Sequence, residues 1–131
     1  MLLHSAIIPI SLTNSNDGRT VHYGASASRR RKYAKQLGIL GFRRKPFDKQ
    51  VDVVVTRILG PNQRLMDSSS LLRGNYKEIE DTLVELGWFV DDDTKSIRVT
   101  LAVQDTSRRH LGPATQIDIY AAGAVRIVVD G

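Results

Sequence analysis

The sequence predicts an α+β fold: a single two-layer domain with two helices packed on one mixed sheet, in the order β-α-β-α-β-β. Three observations carry this prediction. Val51 to Leu59 is dense in β-branched residues, and apolar residues alternate along 97–104 and 116–120. One segment between them, 71–86, instead repeats its apolar residues at helical spacing. The chain has 131 residues with no internal repeat and no low-complexity linker, enough for one core and too short for two.

The elements follow in order. Ala6-Ile7-Ile8-Pro9-Ile10 is a short β-rich run. Its proline lacks an N–H and places the run at a sheet edge or strand end. Thr13 to Gly18 is a cluster of turn formers. Ser26 or Ser28 can cap a first helix running to about Leu37, with Gly38 as its stop. Tyr33, Leu37 and Leu40 supply its apolar spacing. Val51 to Leu59 reads as a strand, closed by Gly60-Pro61-Asn62.

Leu72, Tyr76, Ile79, Leu83 and Leu86 then mark one face of a helix over 71–86, ended by Gly87. At 1.5 Å per residue, such a helix separates its ends by about 24 Å. Ile97, Val99, Leu101 and Val103 alternate with polar or small residues, as expected of a half-buried strand. Asp105 to Ala114 is a polar loop containing Arg108, Arg109 and His110. Gln116 to Tyr120 is a strand with Ile117 and Ile119 facing one way. Residues 124–131 form a tail or an extra strand, with Val125 to Val129 as its β-rich part.

Composition removes several functional classes. Apolar residues make up 41% and charged residues 25%, which is ordinary for a globular domain. Aromatics are only 6%, too few for a series of base-stacking platforms. There is no cysteine, so disulfides, thiolate zinc sites and thiol nucleophiles are excluded. A reducing compartment is compatible with that. No stretch reaches a membrane span, and Met1 to Ile10 lacks a basic start, so neither membrane insertion nor a signal peptide is expected. There is no phosphate-binding glycine loop, dinucleotide fingerprint or nucleophile elbow. His4, His22 and His110 have no metal-ligand spacing and read as surface or hydrogen-bonding histidines.

Charge is distributed unevenly. The net charge is +5. Residues 1–66 carry 12 basic and 3 acidic side chains, and residues 67–131 carry 7 basic and 11 acidic ones. The first part is therefore suited to a polyanion. Its densest stretches are Arg29-Arg30-Arg31-Lys32 with Lys35, and Arg43-Arg44-Lys45, with no acid between residues 29 and 45. Blocks of this kind track a phosphate backbone or solubilise a surface.

In the acidic part, Asp67 precedes the second helix and Asp91-Asp92-Asp93 follows it. These are either an N-cap and a solvated turn, or carboxylates that hold a hard cation such as Mg²⁺. In the second case, the loop before the helix must fold back, or a second subunit must contribute. Lys77 and Asp81 have the spacing of a helix-surface ion pair. The alternative is a lysine aimed at a phosphate.

The stretch Arg64-Leu65-Met66-Asp67-Ser68-Ser69-Ser70-Leu71, followed by Lys77, Asp81, Leu83, Gly87 and Asp91-Asp92, resembles the RusA-type Holliday junction resolvases. That phage-associated family shows a strand, then R-x-x-D-x-D-N-L, then a helix with a Lys and an Asp four apart. A glycine ends the helix, and an Asp pair precedes a β-hairpin. The likeness covers about residues 7–120 and includes Asn14 and Asn16, which match an Asn-containing loop.

The resemblance implies a homodimer that cleaves Holliday junctions or other branched DNA in recombination and repair. It implies Mg²⁺, with Mn²⁺ as a substitute, and the cytoplasm of a bacterial or phage-infected cell. By the same likeness, Asp67, Asp91 and Asp92 would hold the metal and Lys77 would lie near the scissile phosphate. Asn14, Asn16 and the basic blocks would contact DNA. The chain departs from the pattern at Ser69 and Ser70, where the family has its second Asp and its Asn. A hydroxyl is a weaker Mg²⁺ ligand than a carboxylate. Either Asp93 or another acid compensates, or the chain is a catalytically degenerate module that binds branched DNA or other nucleic acid. A basic protein-interaction domain is the third reading.

Overall fold

In the computed structural model, residues 1–13, 31–32, 35, 47–67, 70–89 and 95–125 are described. Four strands are defined: β1 (Leu2–Ile8), β2 (Val51–Ile58), β3 (Ile97–Asp105) and β4 (Ala114–Ala121). One helix, α1 (Tyr76–Glu85), lies between β2 and β3. The sheet order is β1-β4-β2-β3. β4 runs antiparallel to both β1 and β2, and β2 runs parallel to β3. The architecture is α+β with one mixed sheet, as the sequence predicts.

The element order departs in detail. Between β1 and β2 the sequence predicts a helix from Ser26 or Ser28 to about Leu37. Most of that segment lies outside the described residues, but Arg31, Lys32 and Lys35 are helical and exposed. The first strand begins earlier than the apolar run suggests and stops before Pro9, at a sheet edge. The extra strand expected at 125–129 lies outside the described residues beyond Val125.

One face of the sheet forms the core. Val51, Val53 and Val55 of β2, Ile117 and Ile119 of β4, and Ala6 and Ile8 of β1 are buried there. Tyr76, Ile79 and Leu83 of α1 pack against them with Leu71, Trp88 and Phe89. Each buried aliphatic side chain contributes on the order of 1.5–3 kcal/mol before entropy is subtracted. β2 is central, paired on both edges, and nearly all of its side chains are buried.

α1 is shorter than the 71–86 helix that the apolar spacing predicts. It has 10 residues, about 15 Å in length. Residues 71–75 form turns instead. Asn75, at the N-cap position, turns its side chain away from the helix. Its Oδ1 accepts from the Thr13 N–H at 2.9 Å, and its Nδ2 donates to the Ser11 carbonyl at 2.8 Å. The helix start is thus tied to the chain leaving β1.

The C-terminus follows the glycine rule. Gly87 has φ 83°, its N–H bonds the Val84 carbonyl at 3.0 Å, and the Trp88 N–H bonds the Leu83 carbonyl at 2.9 Å. This paired closure places Trp88 in the core beside Leu83.

β3 corrects the sequence reading. Ile97, Val99, Leu101 and Val103 do not share a buried face. Val51 is paired with Ile97, but Asp52 is paired with Val99, so Arg98 is an extra residue on β3. A one-residue bulge reverses every side chain after it. Ile97 stays in the core and Ala102 packs against it, while Leu101 and Val103 are exposed on the opposite face.

Candidate functional site

The C-terminal ends of parallel strands are where loops can gather polar groups around a ligand. In this protein, β2 and β3 supply such an end. Near the end of β2 stands Arg57, which is only 5% exposed. A buried guanidinium needs acceptors, and two are in place. Its Nη1 donates to the Arg64 carbonyl and to Gln104 Oε1, each at 2.9 Å.

Gln104, near the end of β3, acts as a second clamp. Its Oε1 accepts from the Met66 N–H at 3.0 Å, and its Nε2 donates to the Met66 carbonyl at 2.8 Å. The carboxamide thus pairs with Met66 as a neighbouring strand would. Residues 64–66 are held against the sheet end by these bonds, and Asp67 follows directly. Asp67 is exposed, and its carbonyl accepts the Ser70 N–H at 2.9 Å.

The loop between β3 and β4 closes the same end. Gly112 lies against the Leu59 and Ile58 carbonyls, where a Cβ would meet the Ile58 oxygen at 2.6 Å. Only glycine allows this approach. Arg109 Nη1 donates to the Gly60 and Gln63 carbonyls at 2.6 and 2.8 Å, fastening this loop to the one after β2. Asp105 accepts from the Ser107 N–H, the Ser107 hydroxyl and Arg108 Nε at 2.6–2.7 Å. The bonds from Ser107 and Arg108 hold its carboxyl down at about 2.

Lys77 lies in the first turn of α1. Its Nζ is 3.2 Å from Asp81 and 3.7 Å from Glu80, and its side chain is 61% exposed. The i, i+4 ion pair read from the sequence is therefore formed. An exposed pair of this type contributes at most about 1 kcal/mol, so it presents little barrier to a change of partner.

Of the residues read from the sequence as a site, Asp67, Ser70, Lys77, Arg31, Lys32 and Lys35 are described. Asp91, Asp92, Ser69, Asn14, Asn16, Arg29, Arg30, Arg43, Arg44 and Lys45 lie outside the described residues. The carboxylates of Asp67, Asp91 and Asp92 and the hydroxyls of Ser69 and Ser70 are all oxygen donors. That chemistry suits a hard divalent cation. Among the described residues, no three His, Asp or Glu side chains are grouped to hold a metal ion. A Mg²⁺ site at Asp67 would need further carboxylates, from the acids at 91–93 or from a second subunit.

Sequence reasoning did not single out Arg57 or Gln104. Arg57 had a signal: a charge inside the apolar run Val51 to Leu59. Gln104 had none, because its partner is 38 residues away. Among the described residues, no helix is long and apolar enough to cross a membrane. Compared with known proteins, the chain matches no family model and no curated protein.

Proposed function

We propose that the chain is a Mg²⁺-dependent endonuclease that cuts Holliday junctions or other branched DNA, working as a homodimer. The observation that carries this reading is the ordered series Arg64, Asp67, Lys77, Asp81, Gly87 and Asp91-Asp92 around one strand-helix unit. The anchored loop preceding Asp67 supports it. A carboxylate that must hold a cation benefits from a backbone fixed by Arg57 and Gln104.

Asp67 with Asp91 and Asp92 would hold Mg²⁺, with Mn²⁺ as a substitute. When bound there, the ion supplies positive charge against the oxygens of a phosphodiester. Lys77 would exchange its exposed bond to Asp81 for one to the phosphate, offsetting charge that develops during in-line attack. Asn14, Asn16 and the cations at 29–32, 35 and 43–45 would contact the DNA arms.

Two cuts placed symmetrically need two sites, which a two-fold dimer provides. Ile7, Leu101 and Val103 are exposed apolar residues on the sheet face opposite α1, and they support self-association through that face.

The serines at 69 and 70 favour a second reading, in which the chain binds branched DNA without cutting it. Incubating a labelled four-way junction with the protein across a Mg²⁺ and Mn²⁺ titration separates the two. Paired nicks, abolished by Asp91→Asn, support the nuclease. Binding without cleavage at any metal concentration overturns it in favour of the second reading.

A further inference from the structure

We propose that the end of the sheet built from residues 60–66 and 105–112 is a phosphate-contact surface for nucleic acid, with Arg64 and Arg108 as its contact residues and Arg109 as the staple that holds its two loops together. This rests on the nucleic-acid part of the reading above, and not on any cutting.

The two loops are far apart in sequence and carry opposite labels in the charge pattern. Arg64 closes the basic part of the chain, and Arg108 and Arg109 belong to the acidic part. Folding reassigns them. The bonds from Arg109 to the Gly60 and Gln63 carbonyls bring both loops to the C-terminal end of β2 and β3. Arginines 57, 64, 108 and 109 then share one end with two acids, Asp67 and Asp105. α1 carries the opposite sign, with Glu78, Glu80, Asp81 and Glu85 against Lys77. The sequence division into a basic and an acidic half thus becomes a division between a cationic sheet end and an acidic helix.

Donor accounting shows what the surface offers. Arg64 is exposed, and its guanidinium makes no hydrogen bond among the described residues. Arg108 uses only Nε, on Asp105, so both its terminal nitrogens remain available. Asp105 is ionised, and its charge is offset by the ion pair with Arg108, while Ser107 donates twice to its other oxygen. Two guanidiniums with unused, planar donors on a fixed frame fit phosphate oxygens. His110 is exposed in the same loop and adds a ring donor or acceptor. Because the frame is already held by main-chain bonds, little ordering is needed on binding.

The test is equilibrium binding to a labelled four-way junction and to a linear duplex, in EDTA, between about 50 and 200 mM salt. Arg64→Ala and Arg108→Ala are each expected to raise Kd roughly five- to tenfold near 0.1 M salt, and to flatten the log–log salt slope by about 1. Lys49→Ala removes an exposed cation at the other end of β2 and is expected to change neither. Unfolding midpoints establish that the variants are folded, and Arg64→Ala, which breaks no side-chain bond, keeps the test valid should Arg108→Ala unfold. Affinities within about twofold of wild type, with unchanged slopes, overturn the proposal. An equal loss in Lys49→Ala also overturns it. Loss of affinity in the variants supports this surface even where the separate Mg²⁺ and Mn²⁺ titration shows no cutting, which removes the nuclease reading alone. Cutting in that titration with unaltered binding in the variants does the reverse.

Discussion

The Gln104 carboxamide bonds both the N–H and the carbonyl of Met66, at 3.0 and 2.8 Å, and so fixes the residue before Asp67 to the end of β3. Two bonds from one side chain leave the segment little freedom to rotate. Asp67 thereby inherits the rigidity of the sheet, although it stands on a loop.

Replacing Gln104 removes both bonds and one acceptor of the buried Arg57. Gln104→Ala is expected to destabilise the fold by about 1–2 kcal/mol, because the half-buried Met66 main chain and the Arg57 guanidinium each lose a partner. Amide exchange at Met66 should accelerate more than at Val53 in the centre of β2. Urea denaturation and hydrogen exchange measure the two effects. Equal acceleration throughout the sheet would mean that Gln104 supports the fold generally and not the loop.

The Arg98 bulge has a separate consequence for acid stability. Asp52, fully buried, accepts from Arg98 Nε and Nη2 at 2.8 and 2.7 Å and from the Gly123 and Val125 N–H groups at 2.9 and 3.1 Å. The Arg98 bonds, helped by those two N–H groups, outweigh burial and hold its carboxyl below the usual range. A carboxyl depressed in the folded state stabilises the protein above its unfolded pKa of about 4, and that share is lost as pH falls through the folded value. Asp105, held at about 2, acts in the same window. Stability should therefore decline from about pH 4 downward. Asp52→Asn should lower stability at neutral pH by roughly 2 kcal/mol and flatten the acid limb. Denaturation at a series of pH values reads both.

Much of the fold was legible because local pattern and burial agree. Val51, Val53 and Val55 of β2, the Ile117 and Ile119 pair of β4 and the stripe Tyr76, Ile79 and Leu83 are all core, as their spacing requires. β3 was misread because a bulge leaves no mark in an alternating sequence: Val99, Leu101 and Val103 continue the period of Ile97 while the backbone has changed faces. The helix start was misplaced because Asn75 bonds Ser11 and Thr13, contacts more than 60 residues away. The site divides in the same manner. Asp67 and Lys77 stand out by local spacing, whereas the Arg57 and Gln104 supports arise only when β2 and β3 are side by side.

The central claim is that Asp67 shares a divalent cation with the acids after α1. Paramagnetic broadening by Mn²⁺ tests it most directly, in amide spectra of the wild-type chain and of Asp67→Asn. The account predicts that low Mn²⁺ broadens the signals of residues 66, 67 and 70 together with those of 91–93, and that Asp67→Asn abolishes this joint effect. Broadening confined to the 91–93 segment, unchanged by Asp67→Asn, would contradict it.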